Sequence, residues 1–149
     1  TEQAIKAGGG FGWLTIPPIE TLKKYWNGLI LIKSNILIVG RLNGTIAGAS
    51  QISFYPPNNE AQKNISKIQS HFVAPWARGY GLAKAMIDRA LEISKENNKK
   101  SIQLDIRETQ SAAIQLFENK GFSKWGENPS YAFINGTRIK GYYYFKDLK

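Results

Sequence analysis

Residues 73–84 read Val-Ala-Pro-Trp-Ala-Arg-Gly-Tyr-Gly-Leu-Ala-Lys. An apolar strand runs into a glycine-containing turn, and the turn opens a helix. That junction aims several free backbone N–H groups and the positive end of the helix at one spot. Such a spot binds anions, most naturally phosphates. Gly79 and Gly81 permit close backbone approach where a Cβ would obstruct a phosphate. A Walker loop requires G-x-x-x-x-G-K-[ST], which is absent. A dinucleotide fingerprint requires a third small residue where Lys84 stands, and more βα units than 149 residues supply. R-x-x-G-x-A is met by Arg78, Gly81 and Ala83. Taken alone, that pattern reads equally well as a helix cap with turn glycines.

Composition narrows the chemistry. A chain of 149 residues suits one domain and buries roughly two-thirds of its unfolded surface. With 42% hydrophobic and 21% charged residues it is neither a disordered tail nor a collagen-like repeat. The absence of cysteine excludes disulfides, thiolate zinc sites and a cysteine nucleophile. His71 is the sole histidine, so a multi-histidine metal site is excluded and no metal is expected. The net charge of +9 favours anionic partners: nucleic acid, an acidic membrane or a phosphorylated cofactor. It reads equally as a solubilising surface, because the basic residues form no long block. No stretch approaches the roughly 20 apolar residues of a membrane span, and no secretory signal opens the chain. No membrane association and a cytoplasmic location are therefore expected.

Along the chain, the glycine run at Gly8, Gly9 and Gly10 reads as a loop. Pro17-Pro18 opens a helix from Ile19 to Trp26, ended by Asn27-Gly28. A hairpin follows, with a strand over 36–39, a type I′ turn at Asn43-Gly44 and a return over 45–55. Residues 65–73 form a third strand. From Gly81 to Asn97 the apolar residues Leu82, Met86, Ala90 and Ile93 recur at helical spacing. Ile102, Leu104 and Ile106 alternate with Gln103, Asp105 and Arg107 as a two-faced strand. Thr109 is the expected N-cap of a helix that ends at Gly121. A last hairpin turns at Asn135-Gly136. The fold class is α/β. A mixed, mostly antiparallel sheet is flanked by helices, in the order β-β-β-α-β-α-β-β after an N-terminal helix.

The glycine turn does not stand alone. Leu104-Asp105-Ile106-Arg107 is followed over 110–122 by Gln-Ser-Ala-Ala-Ile-Gln-Leu-Phe-Glu-Asn-Lys-Gly-Phe. Order and spacing resemble the GNAT superfamily of N-acetyltransferases. That family joins a (Q/R)-x-x-G-x-(G/A) pyrophosphate loop to an N-x-x-A-x-x-L-Y-x-x-x-G-F segment. The resemblance is strong over about 69–122 and fair to the end of the chain. It is poor over 1–35, where the family's first strand is not recognisable. It implies a single GNAT-like domain over 1–149. It also implies acetyl-CoA as cofactor and transfer of acetyl to a primary amine of a small-molecule or peptide acceptor, by direct attack in a ternary complex.

The resemblance also assigns residues. The pantetheine arm would lie along the strand ending at His71, Phe72 and Val73, with the Val73 N–H polarising the thioester oxygen. N–H groups of Gly79, Tyr80, Gly81, Leu82, Ala83 and Lys84 would hold the pyrophosphate, with charge from Arg78 and Lys84. Asp105 stands where several members carry a glutamate proposed as general base. It reads alternatively as a partner of Arg107 or a holder of an ammonium substrate. Gln110 replaces the usual Asn and still reaches a cofactor amide. Phe117 replaces the tyrosine assigned as general acid in many members, and a phenyl ring donates no proton. A thiol with a pKa of about 8.5 leaves tolerably without one. Tyr131, Tyr142, Tyr143 and Tyr144 are substitute donors or packing residues, and Tyr144 is taken as the candidate. His71 is either a base or a packed strand residue. Phe11 and Trp13, beside Gly10 and Gly12, form a flap over the acceptor or an anchor in the core.

Two other classes stay open. Phe117 favours a non-catalytic acetyl-CoA-binding module. The positive charge favours a nucleic-acid-binding domain, although basic and aromatic residues do not interleave on one strand as a stacking platform requires, and no nucleic acid is expected. A homodimer is compatible with the acetyltransferase reading.

Overall fold

Two turns set the sheet. Asn43-Gly44 and Asn135-Gly136 all have positive φ, at 50° and 81° and at 49° and 77°. Positive φ at both central residues defines the type I′ turn that suits twisted hairpins. The computed structural model describes residues 1–9 and 11–149. Gly10, expected in the N-terminal loop and the aromatic flap, lies outside the described residues.

The strands are β1 (Asn35–Leu42), β2 (Thr45–Phe54), β3 (Ile65–Val73), β4 (Ser101–Arg107), β5 (Ser123–Ile134) and β6 (Thr137–Asp147). They form one sheet in the order β1-β2-β3-β4-β6-β5. All neighbours are antiparallel except β3 and β4. The helices are α1 (Glu2–Lys6), α2 (Ile19–Leu31), α3 (Leu82–Glu96) and α4 (Ser111–Asn119), with a short 3-10 turn at Pro75–Ala77. The expected architecture and the order of elements from the first hairpin onward are observed.

Alternation divides the packing into two faces. Ile52, Ile68, Ile102, Leu104 and Tyr144 point to one face and pack with Ile87, Ala90 and Ile93 of α3 and Phe117 of α4. Phe72 points to the other, under Ala4, Ile5, Phe11 and Leu22. Helix α3 crosses β1 and β2 closely because both strands carry glycine there. A Cβ on Gly40 would meet Leu82 of α3 at 2.9 Å, and one on Gly48 would meet Met86 of α3 at 3.1 Å and the Phe72 carbonyl of β3 at 2.6 Å.

The helices differ from expectation in three places. Helix α2 passes through Asn27-Gly28 and ends at Leu31. Leu22, Tyr25, Trp26 and Leu29 recur at helical spacing and are buried or half-buried, whereas Asn27 and Gly28 are exposed. Packing of that stripe outweighs the roughly 1 kcal/mol that glycine costs a helix. Helix α1 gives no clear sequence signal and owes its place to buried Ala4 and Ile5. Helix α4 has Gln110, not Thr109, at its N-cap, without a side-chain cap bond.

Candidate functional site

The parallel pair β3–β4 is short. It is registered from Ile65 opposite Ser101 to Lys67 opposite Gln103, yet β3 continues to Val73 and β4 to Arg107. Beyond Lys67 the strands part, and β4 stays paired with β6 through Arg107. A bulge helps to bend β3 away. Gln69 faces Gln51 and Phe72 faces Ala49, so β3 has one residue more than β2, and Ser70 adopts φ +47°. The bulge also swaps the faces of the residues after it. His71 meets Phe117 on the α4 side, with ring centroids 5.6 Å apart. Phe72 meets Phe11 on the other, at 4.8 Å.

The gap is a cleft of about 680 Å³. Both strands line it, with Ile68, His71, Leu104 and Phe117 from the α3–α4 face and Lys67, Asp105 and Arg107 from the opposite face. At its far end the Ala74 N–H donates to Ala47 of β2 at 2.7 Å. Strand peptides alternate in direction, so the N–H and C=O of Val73 face the gap. The Val73 carbonyl there accepts from Arg78 Nε at 3.4 Å.

The chain then enters the glycine turn. Gly79 and Gly81 are left-handed, with φ of +86° and +77°, and no atom lies within 4 Å of a Cβ built on either. Their need for glycine comes from backbone conformation, and the space above them is open. Gly81 is the N-cap of α3 and has no side chain to cap it. Ala85 is the first residue of α3 to donate to a backbone carbonyl, that of Gly81 at 3.0 Å. The N–H groups of Leu82, Ala83 and Lys84 find no backbone acceptor among the described residues. Arg78, Tyr80 and Lys84 are exposed around them, whereas Leu82 and Ala83 turn their side chains toward Ile38, Leu42 and Met86.

Asp105 sits on the cleft wall with both oxygens engaged. Lys67 Nζ lies 2.5 Å from Oδ1, and the Tyr131 hydroxyl donates to Oδ2. Burial, and then the Asp105 carboxylate, push the Tyr131 phenol far above its usual range, so it stays protonated. Tyr131 arrives through a second bulge. Asn128 faces Gly141 and Ala132 faces Ile139, so the three residues 129–131 of β5 stand against Lys140 alone. Pro129 has no N–H for the ladder, and Asn128 Oδ1 accepts from the Ser130 N–H at 2.9 Å. The ring then lies on Gly141, where a Cβ would stand 2.1 Å from its Cγ.

Tyr144 does not join this group. It pairs across from Leu104 and Tyr143 from Asp105, so Tyr144 lies on the α4 face. It is buried in the core, and its hydroxyl donates to Glu118 Oε1 at 2.8 Å. Burial and then Glu118 push its pKa up to about 12. Among the sequence candidates, the structure brings Asp105, His71, Phe117 and Gln110 to the cleft and leaves Tyr144 out. The Gln110 amide donates to the Gly8 carbonyl at 2.7 Å, and Arg107 donates to the same oxygen at 2.8 Å. The N-terminal loop is thereby tied to the start of α4. Phe11 is anchored in the aromatic cluster against Phe72 and Trp26 while also lining the cleft. Both His71 ring nitrogens are buried without a partner. Burial lowers its pKa to about 4, so the imidazole is neutral.

Sequence reasoning did not single out Lys67 or Gly141. Gly141 had a signal, a lone glycine inside a strand pattern. Lys67 had none, because its partner lies on another strand. Among the described residues no cluster of metal-ligating side chains exists, and no helix is long and apolar enough to cross a membrane.

The sequence model of the acetyltransferase (GNAT) family matches residues 9–122. The chain belongs to the GNAT family. Its relatives include an uncharacterized N-acetyltransferase of Azospirillum brasilense from the hisH-hisA intergenic region. The two are 43% identical over 109 residues, covering 73% of this chain and 65% of that protein. The chain thus spans slightly less than two-thirds of that relative's length. Solved GNAT structures share the fold at low identity. A ribosomal-protein-alanine N-acetyltransferase from Brucella melitensis superposes with a TM-score of 0.82 at 18% identity, over 99% of this chain and 89% of that one. The structure of yncA, a putative acetyltransferase from Salmonella typhimurium with its cofactor acetyl-CoA, gives 0.81 at 15% identity, over 99% and 84%.

Proposed function

We propose that this GNAT chain transfers an acetyl group from acetyl-CoA to a primary amine in a ternary complex. One observation carries the reading: β3 and β4 part beside a Val73 N–H that faces the gap, and the chain leads on into a left-handed glycine turn and an uncapped helix start. These residues fit acetyl-CoA. The unpaired N–H groups of Leu82, Ala83 and Lys84, with exposed Arg78 and Lys84, suit its phosphates. The open edge of β3 to Val73 suits its amide-bearing arm. The Salmonella structure, described with that cofactor, supports the fit. When bound, acetyl-CoA supplies an activated acetyl thioester.

Asp105 receives the amine. A carboxylate offers about four lone-pair sites, so pairing with Lys67 and Tyr131 leaves room for a further donor. In this role it orients the acceptor nitrogen and takes a proton from it directly or through a water. Tyr131, not Tyr144, is the hydroxyl on the reaction side and holds Asp105 in place. In this reading the Val73 N–H, which faces the gap, polarises the thioester oxygen. Phe117 and His71 form the apolar wall behind.

The test is calorimetric titration with acetyl-CoA beside a Gly81→Trp variant, followed by thiol release with a panel of amines. Binding by the native chain, loss of binding in the variant, and amine-dependent thiol release are expected. No binding by the native chain overturns the reading. Binding without thiol release for any amine favours a non-catalytic acetyl-CoA-binding module, the reading that Phe117 supports.

A further inference from the structure

We infer that the acceptor is a small amine carrying its own carboxylate, of the α-amino-acid type, with its nitrogen at Asp105 and its carboxylate on Arg107. The inference rests on the acetyl-transfer reading and names the substrate class for the same site.

The charged side chains lining the cleft are Lys67, Asp105 and Arg107. Lys67 is paired with Asp105 at 2.5 Å. Arg107 is half-buried and has no such match. It donates to the neutral carbonyls of Gly8 at 2.8 Å and Phe11 at 3.5 Å. Among the described residues no carboxylate forms an ion pair with it. A guanidinium that has lost part of its water and gained only dipoles makes an anion welcome. The cleft therefore carries one paired cation, one paired anion and one unmatched cation.

The pairing of charges selects the ligand. Asp105 and Arg107 lie two positions apart on β4, so they share a face and both heads open on the one cleft. An α-amino acid carries both complementary groups, an ammonium for Asp105 and a carboxylate for Arg107, each able to make a charge-assisted hydrogen bond. Leu14, Leu29, Tyr25 and Phe133 line the adjoining wall and leave an apolar place for a side chain. A polyamine fits poorly. It would bring several positive charges to a cleft whose described carboxylate already holds Lys67.

In the reaction the acceptor nitrogen bonds to the acetyl carbon as the carbon–sulfur bond breaks, and sulfur keeps the electron pair. The ammonium loses two protons, one to sulfur and one to solvent. The products are the N-acetylated acid and the free thiol.

The experiment runs the α-amino acids against their decarboxylated counterparts and against spermidine, with acetyl-CoA in excess. An acetylated amino acid is expected to exceed its decarboxylated counterpart by at least about tenfold in kcat/KM. Arg107→Gln is expected to bring that ratio within about threefold. The ratio is read because this variant also frees the Gly8 loop. Calorimetry gives a second readout: the amino acid binds the CoA-loaded chain and binds the variant at least about tenfold more weakly. The native comparison decides the matter even where the variant does not fold. Preference for spermidine or for decarboxylated amines, or acetyl-CoA binding with no amino acid acetylated, overturns the zwitterionic acceptor alone. Failure of acetyl-CoA to bind overturns acetyl transfer and this inference together.

Discussion

His71 shows how one buried group ties stability to pH. Its imidazole is held neutral, with a pKa lowered by burial to about 4, while the unfolded chain protonates near its ordinary 6.5. Stability from this residue is therefore complete above pH 6.5 and is lost as pH falls from there toward 4. The loss amounts to about 3 kcal/mol. Denaturant unfolding of the native chain at pH 7.5 and 4.5 is expected to show this slope, and His71→Leu to remove it. The tyrosines make a second residue-scale contrast. Tyr144→Phe removes one hydrogen bond from a buried hydroxyl to exposed Glu118, so it is expected to cost about 1 kcal/mol and leave acetyl transfer within about threefold. Tyr131→Phe leaves Asp105 held by Lys67 alone and is expected to lower kcat by about a hundredfold, at a cost of about 1–2 kcal/mol in unfolding. Equal loss of activity in both variants would contradict the division of the tyrosines between the two faces.

The elements meet through glycines. Gly48 lets α3 and the end of β3 close on β2, and the atom a Cβ would strike is the Phe72 carbonyl at 2.6 Å. Backbone yields less than a side chain, so Gly48→Ala is expected to cost about 1–3 kcal/mol in denaturant unfolding. It is also expected to weaken acetyl-CoA binding, because it shifts Val73. Gly141 differs, since the atom struck is Tyr131 Cγ. Tyr131 Cβ also lies 2.6 Å away, so Gly141→Ala is expected to shift β5 with the ring, cost stability in denaturant unfolding and reproduce the kinetic defect of Tyr131→Phe. The hairpins, α3 and the start of β4 were legible because each is a local pattern: Asn-Gly, a helical stripe, an alternation. The passage of α2 through Gly28 was not, because Leu29 finds its surroundings only in the folded sheet.

At the scale of the whole molecule, the cofactor reading makes stability depend on ligand. Acetyl-CoA at a hundredfold excess over its Kd is expected to add about 2.7 kcal/mol, or roughly 5–10 °C in Tm. The rise is expected to shrink with salt, because the phosphates would meet exposed Arg78 and Lys84. The sequence by itself determined the strand–turn–helix junction, the β4–α4 segment that follows it, and so the family. Those signals lie in short stretches where backbone conformation and periodicity are local. Only the tertiary structure decided that β3 and β4 part, that Ser70 turns His71 toward Phe117, and that Tyr131 rather than Tyr144 meets Asp105. It alone tied Gly8 to Arg107 and Gln110. Each of those outcomes depends on a bulge or on a contact between segments distant in sequence; in β3 one extra residue reverses the facing of the side chains beyond it.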